Sequence, residues 1–88
     1  MKTNYCENYF KELSANDPQR LIDIIKLKDM PPHLLTYAAE YVGWVSDPKY
    51  QSEIILTLSD LLNHESKVVR EGAMIGLDCI MMNYKLKN

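Results

Sequence analysis

Apolar residues return every three or four positions along almost the whole chain, and only prolines and short polar turns interrupt them. That spacing puts them on one side of a helix with 3.6 residues per turn. A half-buried strand would need sustained alternation of apolar and polar residues, which the sequence lacks. Neither Asn-Gly nor Asp-Gly is present to turn a hairpin. The chain is therefore expected to be all-α.

The interruptions divide it into five helices. The first is expected at 4–14, with Tyr5, Tyr9, Phe10 and Leu13 on one face. Asp17 then caps a second helix that begins at Pro18, where a missing N–H costs nothing, and runs to about Leu27. Its apolar face is Leu21, Ile24 and Ile25, flanked by Lys28. Met30-Pro31-Pro32 ends it, because a residue before proline resists the α region. A third helix at 32–45 buries Leu35, Ala38, Val42 and Val45, and Ser46-Asp47-Pro48 closes it. The fourth, 48–63, buries Ile54, Ile55, Leu58, Leu61 and Leu62. The fifth, 67–83, turns Val69, Ala73, Leu77 and Ile80 inward, with Ser66 a candidate cap. Connections of two to five residues make consecutive helices antiparallel neighbours.

With 88 residues the chain supplies one domain, which buries only about 60–65% of its unfolded surface. Its 47% apolar and 25% charged residues are those of an ordinary soluble globular protein. The formal charge is −2, unevenly spread. Residues 1–31 are balanced, whereas 32–84 carry Lys49, Lys67 and Arg70 against seven acids from Glu40 to Asp78. A nucleic-acid binder shows a basic stripe, and this chain shows the reverse. The acidity is either plain solvation or a functional surface. Cys6 and Cys79 stand far apart with no apolar signal segment ahead of them, so free thiols in the cytoplasm are expected. No apolar run reaches the ~18 residues a membrane span needs.

The chain also resembles itself. Ala38, Val42 and Val45 lie 35 positions before Ala73, Leu77 and Ile80. Leu21, Asp23, Ile24 and Ile25 lie 37 positions before Leu58, Asp60, Leu61 and Leu62, and the Met30-Pro31-Pro32 connection absorbs the difference. Two helix pairs, 18–45 and 48–83, thus follow a lone N-terminal helix. The stretch HESKVVREGAMIGLDCI, residues 64–80, with ILTLSDLLNH before it, resembles a HEAT repeat through its polar turn, Val69-Arg70, Ala73 and the apolar run to Ile80. The earlier pair resembles the motif through Asp17-Pro18 and AAEYVGWV, residues 38–45, but holds Leu34-Leu35 where the Val-Arg pair would stand. The resemblance implies a short right-handed stack: an N-terminal helix at 1–16, a degenerate repeat at 17–46, a repeat at 47–84 and a tail at 85–88. It also implies that Arg70 is structural, and that the second helix of each pair lines a partner-binding surface.

Catalytic chemistry has few residues to draw on. His33 and His64 lack the i, i+4 pairing of a zinc site and no Cys-x-x-Cys exists, so no metal and no cofactor are expected. Gly72 and Gly76 fall inside a helix, where close packing accounts for them better than a phosphate loop. Two clusters are candidate partner-binding surfaces. Tyr37, Glu40, Tyr41 and Trp44 share a side of the third helix, either as a recognition patch or as packing against the first helix. Glu71, Met74 and Asp78, with Met81 and Met82, lie outside the core stripe of the fifth. Glu40, Glu71 and Asp78 would make the surface acidic and suited to a basic partner. The expected function is a non-catalytic protein-interaction module, an adaptor or inhibitor. The alternatives implied by the resemblance are a nucleic-acid-associated protein, as in HEAT-like DNA glycosylases, and a subunit similar to HEAT-like bilin lyases resting on Cys79. Two units are few for a repeat stack, and the last helix ends in Ile80-Met81-Met82-Tyr84, so one end is expected to be covered by self-association or by a partner.

Overall fold

The computed structural model describes the backbone of residues 2–87 and the side chains of residues 7–83. Among them the chain is all-α: α1 (Lys2–Asn16), α2 (Pro18–Leu27), α3 (Pro32–Val42), α4 (Gln51–Leu61) and α5 (Lys67–Lys87), with a 3-10 turn at Pro48–Tyr50 before α4. Tyr5, Cys6 and Tyr84, named above from the sequence, lie outside the described side chains.

The expected caps form where the side chains allow them. The Asp17 carboxylate accepts the Arg20 N–H at 3.4 Å at the head of α2, and Asp47, expected only to close α3, also accepts the Lys49 N–H at 3.0 Å. α2 ends at Lys28, whose φ of 55° is the left-handed conformation that usually calls for glycine. α3 stops three residues short of its expected end. Gly43, Trp44 and Val45 donate to the carbonyls of Glu40, Tyr41 and Val42, a tightened i to i−3 turn. That turn still delivers Val45 to the core at 2% exposure.

One core joins Phe10 of α1, Leu21, Ile22 and Ile25 of α2, Leu35, Ala38, Ala39 and Val42 of α3, Ile54, Leu58 and Leu61 of α4, and Val69, Ala73 and Ile80 of α5. Each fully buried Leu or Ile is worth about 1.5–3 kcal/mol. Three expectations need correction. Tyr9 is 45% exposed and Leu62 38% exposed, and Ile22 holds the buried place expected of Ile24, which is only half-buried. In α2 the run Leu-Ile-Asp-Ile-Ile offers two overlapping stripes, and contacts with α1, α3 and α4 select the one containing Ile22. Leu62 falls just past the end of α4, where its N–H turns to the Ser59 carbonyl and its side chain leaves the buried face. The 37-residue register therefore fails at Ile25 and Leu62. A register one residue shorter pairs Leu21 with Thr57, Ile22 with Leu58 and Ile25 with Leu61, all buried. The 35-residue register pairs Ala38 with Ala73 and Val45 with Ile80, also buried.

The most extensive contact is between α3 and α5, and glycines make it. A Cβ on Gly72 would stand 2.8 Å from the Thr36 carbonyl oxygen, and one on Gly43 2.8 Å from the Gly76 Cα. A Cβ on Gly76 would press into the Ala39 carbonyl oxygen. Gly72 and Gly76 thus permit two backbones to touch, as their spacing suggested. Because Thr36 meets Gly72 while Ala39 and Gly43 meet Gly76, the two helices run side by side in the same direction.

Candidate functional site

The face formed jointly by α3 and α5 collects most of the residues singled out from the sequence. Its first half is a groove in which His33, Tyr37 and Glu40 of α3 face Val68, Glu71 and Ile75 of α5. Its second half sets Trp44 against Cys79, Met82 and Asn83. Asn83 also ties the helices together, donating from Nδ2 to the Gly43 carbonyl at 3.3 Å.

The aromatic cluster divides between the two roles open to it. Tyr37 and Tyr41 are half-buried against the core, and the Tyr41 hydroxyl donates to Glu7 Oε1 at 3.3 Å on α1. Trp44 meets the Tyr41 ring edge-on, centroids 5.1 Å apart, yet stays 52% exposed. The Lys11 ammonium lies 5.9 Å from its ring centroid, within cation–π range. Tyr41 is thus a packing residue, and Trp44 presents its indole to the outside.

The charges here are uncompensated. Burial, reinforced by Glu7, holds the Glu40 carboxyl above its usual range. Among the described residues neither Glu40 nor Asp78 meets a cation, and Glu71 has only Lys67, one helical turn away at 3.9 Å and highly exposed. Such a pair contributes little. Burial raises the Cys79 thiol as well, and Asp78 and Glu40 add to it, which keeps the sulfur protonated and poorly nucleophilic.

Met74 does not join the site. It lies one residue, about 100° of helix rotation, from Ile75, and is exposed without lining the groove. The groove instead contains Val68 and Ile75, and Met82 lines the neighbouring hollow beside Trp44; the sequence alone does not bring these three together. Their spacing of seven was legible, and their exposure of 45%, 47% and 63% was not.

Arg70 braces its own turn. Its Nη1 donates to the carbonyls of His64 at 2.7 Å and Glu65 at 3.1 Å. In the same turn the Ser66 N–H donates to His64 Nδ1 at 3.0 Å, and the Ser66 carbonyl accepts the Arg70 N–H at 3.1 Å. The histidine is therefore part of the cap. Among the described residues no group of three or more His, Cys, Asp or Glu is arranged to hold a metal ion. No described helix is long and apolar enough to cross a membrane. Comparison with protein-family models, with curated protein sequences and with solved structures finds no match.

Proposed function

We propose that this chain is a non-catalytic protein-interaction module of the cytoplasm, an adaptor or inhibitor, that holds a basic protein surface along α3 and α5. One observation carries the reading: Trp44, Ile75 and Met82 stand about half exposed or more beside Glu40 and Asp78, acids that meet no cation among the described residues. Exposed large apolar groups among like charges are costly to leave uncovered, and a basic partner with its own apolar anchors satisfies both. In the same reading, α2–α3 and α4–α5 are two units of a HEAT-like stack. The packing of α3 on α5 and of α2 on α4 supports this, since like helices of successive units would be neighbours.

The test is capture at native expression with the wild-type chain and with a Glu40→Lys, Glu71→Lys double variant, followed by mass identification. The expected result is a strongly basic protein retained by the wild type and lost with the variant. Retention of the same proteins by both, or of acidic proteins, would refute the reading.

A further inference from the structure

We infer that the occupant of the α3–α5 face is a basic amphipathic helix, a segment of another protein some four turns long, lying along α5. The inference rests on the reading above and gives the partner its form. Val68, Ile75 and Met82 recur at intervals of seven, and the mismatch between 3.5 and 3.6 residues per turn moves each by only about 20°, so they form one stripe. The stripe runs about 21 Å at 1.5 Å per residue. Tyr37 and Trp44, also seven apart, stand along the opposite wall.

This geometry selects a helix. Apolar contacts about 10.5 Å apart match the i, i+7 repeat of a helical ligand. An extended peptide repeats its side chains on one face every ~6.7 Å and falls out of step with the stripe. The charges select the sign. Glu71 and Asp78 lie within the exposed arc of α5, and Glu40 lies in the facing wall. Lysines or arginines flanking the ligand's apolar seam would meet them. The same acids argue against a second copy of this chain, because pairing α5 with itself would bring four carboxylates together with only the exposed Lys67 of each copy to meet them.

Trp44 is the chain's single tryptophan and lines the groove, so its emission reports occupancy directly. The probes are three 21-residue peptides free of aromatic residues. One is built of Lys, Ala and Leu with Leu on one helical face, the second is its scrambled isomer of equal charge, and the third replaces every Lys by Glu. The amphipathic basic peptide is expected to shift Trp44 emission and to bind about tenfold more tightly than the scrambled isomer. Raising the salt several-fold should weaken that binding. Ile75→Gln, or independently Met82→Gln, is expected to cost about tenfold in affinity while leaving the helical circular dichroism unchanged. Equal binding of the amphipathic and scrambled basic peptides would overturn the helical form and leave the basic-partner reading standing. Binding of neither, or equal binding of the acidic peptide, would overturn both. Undiminished affinity in Ile75→Gln and Met82→Gln would remove the stripe as the site. A wild-type dimer in sedimentation that Ile75→Gln dissociates would assign the stripe to self-association and overturn the inference.

Discussion

The two long flanks of this small molecule dispose of charge in opposite ways. Between α2 and α4, Lys26 meets Glu53 at 2.5 Å, Lys28 meets Asp60, and Gln19 donates to Glu53. Between α3 and α5 the backbones touch through glycine, and the acids along the seam meet almost nothing. The first flank ties itself together with side chains that reach across. The second draws its helices together chiefly through what its residues lack, with Asn83 the one side chain among the described residues shown reaching across, and leaves its other polar and apolar groups facing outward. Of these acids only Glu40 is drawn partly out of water, and its raised carboxyl shows that cost, while Glu71 and Asp78 stay solvated.

The contrast breaks first at the glycines. Gly76→Ala is expected to cost about 3 kcal/mol in urea unfolding, because its Cβ meets the Ala39 backbone. The sign is diagnostic, since an ordinary glycine in a helix interior gains up to ~1 kcal/mol on becoming alanine. Next in size, Arg70→Ala should cost about 1–2 kcal/mol by the same measurement, for it frees two carbonyls at the head of α5.

The carboxylates sharpen the comparison further through pH. Glu40 is held above the usual range by burial and by Glu7, so its native state keeps the proton longer than the unfolded chain does. Stability must then fall as pH rises from the ordinary carboxylate range towards the raised native value. Glu40→Gln should melt higher than the wild type at neutral pH, the gap closing in acid. Glu53 runs the other way. Its hydrogen bond from Lys26 lowers it first, and Gln19 and the Lys26 charge add to this. The stability it supplies is present above the ordinary carboxylate range and is lost as pH falls through its lowered native value. Glu53→Gln should therefore melt slightly lower than the wild type at neutral pH, with the smallest effect of the four, and high salt should erase the difference.

Much of the fold could be read from spacing. Asp17-Pro18 set the head of α2, and Leu35, Ala38, Val42 and Val45 were all placed inward and are all buried. What escaped depended on neighbours far along the chain. Two stripes on α2 satisfy the same period, and only packing against other helices chooses Ile22 over Ile24. The site was half legible for a related reason. Tyr37, Glu40 and Trp44 share a helix face that periodicity reveals. Which residues of α5 lie opposite them depends on the rotation of one helix against the other, and Gly72 and Gly76 fix that rotation by admitting Thr36, Ala39 and Gly43. Met74 lies outside the core stripe of α5 as its spacing suggests, yet it lines neither the groove nor the hollow beside Trp44.

The glycine seam also bears on the thermodynamics of recognition. Helices separated by a layer of long side chains can slide and reorient as rotamers exchange, whereas two backbones in direct contact have little play. The walls of the groove would then hold their spacing before anything docks. A partner would pay mainly for its own ordering and little for that of this chain, which is how preorganised surfaces gain affinity without gaining area. Slow opening should be shared as well. The amides of α3 and α5 at the seam should exchange with solvent as one unit, at a free energy close to that of global unfolding.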